Sequence, residues 1–318
     1  MARMPVNFGD TTMKRRNFLG LTTLAAGTLA LNPLTGVAET VSPSEPVDPV
    51  WVPLTKEVKT TRVGFGTGMR GWQRRSELTR AGYPKAIELL RFAYDQGIRL
   101  FDLADLYGTH DVVAEAMKGK PRDSYTLVSK IWMHANGLPE IERLDPAVTV
   151  KRFLGELKTD YIDVVQLHCL QSNSWTTQFA KEMESLEKLK KEGVIRAHGI
   201  SSHANQATEH AAETEWCDVV HVRMNSEGLN MEGFPDDAAK RVEEGVRTTQ
   251  RVHDAGKGVI CMKVLGEGKM ANDPEMRRRS TAFISQLDCV DVMIVGFCEK
   301  EHVTEFLANV AAASKPAG

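Results

Sequence analysis

The sequence predicts a single-domain α/β protein, a closed (β/α)8 or TIM barrel preceded by a cleavable signal segment. Three observations predict it. From about residue 61 to the C-terminus, short apolar runs alternate with stretches whose apolar residues recur every three or four positions, the pattern of strands and amphipathic helices. The alternation repeats eight times, with about 30–40 residues per strand–helix unit in the middle of the chain. Eight such units argue for a closed barrel over an open doubly wound sheet. The 318 residues leave room for such a barrel, which takes about 250.

Taken in order, residues 61–67 read as a strand closing in the tight turn Gly64-Phe65-Gly66-Thr67-Gly68. Tyr83-Pro84-Lys85 opens a helix whose Ile87, Leu90, Ala93 and Tyr94 share a face, and Gly97 stops it. Strands follow at 98–101, 125–129, 162–167, 197–201, 218–224, 258–263 and 290–295. Helices lie between them at 112–117, 148–157, 179–191, 207–215, 236–255 and 273–286, with a last one at 301–313.

Residues 1–38 read as an export signal. Lys14-Arg15-Arg16-Asn17-Phe18-Leu19 is a twin-arginine string, a moderately apolar stretch runs from Leu19 to Leu34, and Gly36-Val37-Ala38 offers a cleavage site. The stretch contains Gly, Thr, Asn and Pro and is short for a membrane span of about 20 residues, so no stable membrane anchor is expected. The expected organisation is therefore a twin-arginine signal peptide at 1–38, a flexible lead-in at 39–60 rich in proline and acidic residues, and the barrel at 61–318. It implies the twin-arginine export machinery as a partner and a periplasmic or otherwise exported location.

A formal charge of −2 gives no reason to expect nucleic acid as a partner, and 42% hydrophobic with 26% charged residues is ordinary for a globular protein. The five cysteines, Cys169, Cys217, Cys261, Cys289 and Cys298, lack C-x-x-C spacing and mostly fall in or beside expected strands, so they read as small buried hydrophobes and no metal site is expected.

Four strings carry the chemistry: Phe101-Asp102-Leu103-Ala104-Asp105-Leu106-Tyr107-Gly108, Val128-Ser129-Lys130, Gln166-Leu167-His168 and Gly199-Ile200-Ser201-Ser202. Each places a polar group at the end of an expected strand, and strand ends converge on one face of a barrel, where active sites are built. A Tyr, a Lys, an Asp and a His gathered there can protonate a carbonyl oxygen. A free tyrosine, with a pKa of about 10, is a weak acid near neutrality. A lysine cation beside it is expected to lower that value, with an aspartate holding the lysine in place. Alone, each residue has a plainer reading: Asp102 as a turn cap, Tyr107 as a loop anchor, Lys130 as a surface ion pair, His168 as a core histidine. Asp105 competes with Asp102 for the role of lysine partner. His168, His198, His203 and Asp102 also leave open a metal-dependent hydrolase, although no H-x-H or H-E-x-x-H string is present.

Together the strings resemble the aldo-keto reductase superfamily. The likeness runs from about Thr61 to Leu307 and includes Leu157-Lys158-Thr159-Asp160-Tyr161-Ile162-Asp163 and Lys190-Lys191-Glu192-Gly193-Val194-Ile195-Arg196. The resemblance implies a nicotinamide-dependent oxidoreductase acting on a small-molecule carbonyl or alcohol. Tyr107 would be the general acid/base, Lys130 its tuning cation, Asp102 the anchor of Lys130, and His168 the group that orients the carbonyl. It also implies NADP or NAD as cofactor, held by Gly66 and Thr67, by Ser201 and Ser202 in place of the family's Ser-Asn, and by His221 in place of its Gln. Met262 would stand where an aromatic ring stacks on the nicotinamide, followed by Gly296 and by Glu299 where a cation commonly faces the 2′-phosphate, with Lys300 next to it. The unusual Met262 and Glu299 keep a second reading open, a nucleotide-binding regulatory barrel with little turnover. Arg277-Arg278-Arg279 reads either as a contact for the pyrophosphate or as a solvated helix face. Trp72, Trp132 and Trp175 sit in expected mouth loops, as a substrate wall or as a cover over the barrel.

Overall fold

The computed structural model describes residues 46–234 and 236–314. The expected signal segment at 1–38 lies outside them. The first described elements are β1 (Trp51–Pro53) and β2 (Lys59–Thr61), an antiparallel hairpin. The chain before it is tied to the barrel by Val47 N–H donating to Asp95 O at 2.8 Å. Residues 51–61 are thus built structure and not only a lead-in. The hairpin closes the N-terminal end of the barrel: Leu54 and Val58 pack on Leu100, Val128, Val164, Val219 and Ile260, which line the interior. Its turn is fixed by Thr55, whose Oγ1 accepts from Val58 N–H at 3.0 Å. Strands of three residues, the first ending at Pro53, carry too little alternation to be read as strands.

Among the described residues, eight parallel strands close the barrel: β3 (Val63–Gly66), β4 (Leu100–Asp102), β5 (Thr126–Trp132), β6 (Ile162–Leu170), β7 (Ile195–Ser202), β8 (Val219–Arg223), β9 (Gly258–Met262) and β10 (Val292–Val295), with β10 pairing back to β3. Around it lie α1 (Glu77–Arg80), α2 (Tyr83–Asp95), α3 (His110–Ala116), α4 (Pro146–Leu157), α5 (Trp175–Gln178), α6 (Ala180–Lys191), α7 (Asn205–Glu213), α8 (Ala238–Asp254), α9 (Pro274–Ser285) and α10 (Lys300–Ala313). Aspartates start three of them: Asp145, Asp237 and Asp273 accept from backbone N–H groups in the first turns of α4, α8 and α9. Gly97, at φ +92°, ends α2 as the sequence predicts.

The second cluster lies between strands and helices and is built from residues such as Phe101, Leu127, Phe153, Leu167 and Ile200. Closure demands close approach between β7 and β8: a Cβ on Gly199 would lie 1.8 Å from Val219 O, so only glycine fits. The β6–β7 register shifts between Leu167 and Leu170, and Cys169 within it has φ +65°. That irregularity re-aims the end of β6, the strand that carries His168.

Candidate active site

β4 ends at Asp102, and a 3-10 turn over residues 105–107 then brings Tyr107 back over the strand ends. Gly108, at φ +64°, ends the turn; a Cβ there would lie 1.9 Å from Arg74 O. The Tyr107 ring slots against Gly68 and Gly71, where an added Cβ would fall 2.1 and 2.4 Å from ring carbons. Asp105, the competing carboxylate, turns outward to Arg152 at 2.6 Å and Arg74 at 3.3 Å, which fastens the turn to α4 and to the preceding loop.

Asp102 faces inward. The Lys130 ammonium, 1% exposed, donates to Asp102 Oδ1 and to Leu103 O at 2.9 Å. His221 Nε2 sits 3.0 Å from the same carboxylate oxygen. Burial pushes the Asp102 carboxyl up, but Lys130 and His221 outweigh it and hold it below the ordinary value. Burial also lowers the Lys130 ammonium, against the pull of Asp102.

Lys130 Nζ lies 5.4 Å from the Tyr107 ring centroid, and Tyr107 Oη lies 3.5 Å from His168 Nε2. The structure thus brings Asp102, Tyr107, Lys130 and His168 together. It corrects one expectation about them: the Tyr107 phenol is not acidified. Burial, then the Asp102 charge, raises it well above 10. The lysine is spent on Asp102 and Leu103 and does not touch the phenolic oxygen. His168 is pushed well below 6.5, first by burial and then by Lys130 and neighbouring histidines, so its ring is neutral. Its Nδ1 is buried without a partner among the described residues. A neutral imidazole and an intact phenol therefore share one small volume, arranged to give hydrogen bonds and a proton to an oxygen placed between them.

Around His168 stand Trp132, at 5.2 Å between ring centroids and edge-on, and His203 at 6.4 Å. Trp72, half exposed, meets Trp132 edge-on, so these two form a wall at the mouth. Trp175 does not: it is buried in the helix layer against His210 and Trp216. His198 also lies away from this group, stacked on Trp216 at 4.2 Å and paired with Glu187. Among the described residues no three His, Cys, Asp or Glu side chains are grouped to hold a metal ion.

A cleft of ≈ 380 Å³ runs from Tyr107 and Asp102 toward α9 and α10. Of the expected cofactor residues, Gly66, Met262 and Gly296 line it. The others are placed elsewhere. Thr67 is buried, its hydroxyl donating to Asp102 O at 2.8 Å and paired with Thr109 Oγ1 at 2.7 Å. Ser202 Oγ accepts from Thr208 at 2.7 Å and donates to Ala204 O, which ties down the start of α7. His221 is held inside the barrel by Asp102. Glu299 and Lys300 face α2 and pair with Lys85 and Glu88, each at 2.5 Å. Ser201 does not line the cleft either, but it differs from these: it is fully buried near the end of β7, with an Oγ that has no partner among the described residues. An orphaned hydroxyl at a strand end suits a ligand amide, so on this point the residues present fit a nicotinamide ring.

The chain matches the aldo/keto reductase family over residues 62–286, more than two thirds of its length. It belongs to that family. Among curated aldo/keto reductases and oxidoreductases, it is 33% identical over 165 residues to the aldo-keto reductase YhdN of Bacillus subtilis, covering 46% of this chain and 44% of that protein. It is 32% identical over 156 residues to the oxidoreductase YqkF of the same organism, covering 46% and 47%. The chain thus spans about half the length of the curated relatives it matches. Among solved structures, the aldo-keto reductase PA4992 of Pseudomonas aeruginosa superposes with a TM-score of 0.66 at 23% identity, covering 86% of this chain and 98% of that one. A Klebsiella pneumoniae aldo/keto reductase in complex with NADP and acetate superposes at 0.60 and 22%, covering 85% and 92%. At such identities the likeness shows the fold.

Sequence reasoning missed most of the aldo/keto reductase cleft's far wall. Cys298, His302, Glu305, Phe306 and Asn309 line it from α10 and the turn before it. Their spacing of three or four was a legible helix face. Of Arg277-Arg278-Arg279, Arg277 lines the cleft, while Arg278 and Arg279 pair outside with Glu275 and Glu227.

Proposed function

We propose that the chain is a nicotinamide-nucleotide-dependent oxidoreductase that reduces an aldehyde, ketone or sugar carbonyl, or oxidises the corresponding alcohol, with Tyr107 as the general acid/base. The observation that carries this reading is the pairing of Tyr107 Oη with His168 Nε2 at 3.5 Å, above a buried Lys130–Asp102 ion pair, at one end of the cleft. Family membership supports it.

A bound nicotinamide supplies or accepts the hydride. The protein's residues manage the proton. A carbonyl oxygen between Tyr107 Oη and His168 receives two hydrogen bonds, and the phenol releases its proton to it as negative charge develops. The Lys130 ammonium lies 5.4 Å from the centroid of the ring that gives up the proton. Asp102 and Leu103 O keep that ammonium from swinging away. His168 stays neutral because burial disfavours its cation, so it orients without competing for the proton. Ser201 Oγ would meet the amide of the cofactor, and Trp72 and Trp132 would limit water access on the substrate side.

On residues 1–38 we further propose that the enzyme acts outside the cytoplasm. Free nicotinamide nucleotides are not expected there, so the cofactor would leave the cell bound to the folded protein and cycle between two substrates. The test of the reaction is nucleotide oxidation by the purified enzyme across a panel of carbonyls, beside Tyr107→Phe. Turnover that the substitution abolishes supports the reading. Equal inertness of both proteins, with nucleotide bound, would favour the regulatory barrel instead.

A further inference from the structure

The far end of the cleft carries a charge arrangement that the proposed reaction does not use. Lys263 and Arg277 line it. Each is already matched to a carboxylate that lines it too: Lys263 Nζ lies 2.7 Å from Glu267 Oε1, and the Arg277 guanidinium forks onto both oxygens of Glu305 at 2.8 and 3.0 Å. Among the described residues of the cleft wall, this leaves the imidazole of His302 as the remaining basic side chain.

A dinucleotide that puts its nicotinamide at Tyr107 must lay its adenosine half toward α9 and α10. A phosphate on the ribose 2′-oxygen would bring close to two negative charges to that end. It would need a cation with unspent hydrogen bonds, and it would have to pull Arg277 from Glu305 and leave that carboxylate facing it. A ribose with a free 2′-hydroxyl meets no such cost, because it can donate to a carboxylate already in place.

We infer that this cleft selects NAD(H) over NADP(H), with Glu305, through its hold on Arg277, as the specificity-determining residue. The inference rests on the nucleotide-dependent reading above. It sets this chain apart from its Klebsiella neighbour, which was crystallised with NADP.

The test is a fluorescence titration of the purified full-length protein, of Glu305→Gln and of Glu267→Gln with NADH and NADPH, with folding of each checked by circular dichroism. The expected result is NADH binding about tenfold tighter than NADPH or better in wild type. Glu305→Gln frees Arg277 and narrows that ratio severalfold with NADH affinity retained. Glu267→Gln frees Lys263 in the same sense and serves if Glu305→Gln does not fold. Equal or tighter NADPH binding in wild type overturns the inference and leaves the oxidoreductase reading intact. An unchanged ratio in both folded variants removes the role given to the carboxylates. Binding of neither nucleotide to folded wild type overturns the nucleotide reading itself.

Discussion

Tyr107 keeps its proton because the groups around it do not compensate for its burial. The Lys130 charge that sequence reasoning assigned to the phenol is taken up by Asp102 and Leu103 O, while the Asp102 charge itself disfavours phenolate. The consequence is a pH dependence with a defined sign. Reduction needs the protonated phenol, whose value lies above 10, so the reduction rate should show no loss from Tyr107 ionisation between about pH 6 and pH 9. Oxidation of the alcohol needs the phenolate and should rise with pH through that range. pH–rate profiles in both directions check this; a reduction limb near neutrality that vanishes in Tyr107→Phe would contradict it. Asp102, Lys130 and His168 were legible because each ends or closely follows an apolar run, and Tyr107 because it lies in the turn after Asp102. Thr67, Ser202, His221, Glu299 and Lys300 were assigned to the cofactor by position along the chain, which does not say which way a side chain turns. His221 is the clearest case: a two-residue period leaves it facing into the barrel, where Asp102 takes it.

At the scale of elements, the loop between β3 and α1 and the 3-10 turn after β4 act as one unit. The loop gives Gly68 and Gly71 to the tyrosine ring, and Asp105 in the turn is fastened by Arg74 and Arg152. Gly71→Ala should therefore move the ring, since the new Cβ would lie 2.4 Å from Tyr107 Cδ1. We expect kcat to fall by about tenfold or more with a melting temperature close to wild type, because the loop lies outside the barrel core. Unchanged kcat in the folded variant would show that the ring has slack. The alternation of strands and helices was readable because apolar periodicity is strong in the barrel units. β1 and β2 were not, being three residues each, and the extension of β6 to Leu170 was hidden by the irregularity at Cys169. The wall contributed by α10 was readable in principle, but the resemblance drew attention to positions next to Gly296 and not to the face three and four residues on.

At the scale of the molecule, β1 and β2 seal one end of the barrel and the chemistry collects at the other, so loops at the mouth can vary without disturbing the interior cluster. Among the described residues no helix is long and apolar enough to cross a membrane. The export proposal makes its own prediction. Arg15→Lys with Arg16→Lys in the full chain should keep the protein in the cytoplasm of a cell with an intact twin-arginine pathway, read by fractionation and by retention of residues 1–38. Export of the double variant at the wild-type level would remove the proposal.

A nucleotide-linked hydride step in this cleft should depend on the Tyr107 proton. The measurement is single-turnover nucleotide oxidation by wild type and Tyr107→Phe across a panel of aldehydes, ketones and sugars, with nucleotide binding titrated in both proteins. The expected result is turnover by wild type on at least one carbonyl, a loss of about 10²–10³-fold in the variant, and unchanged nucleotide affinity. Equal rates in the two proteins, or no turnover by nucleotide-bound wild type on any carbonyl of the panel, would contradict it.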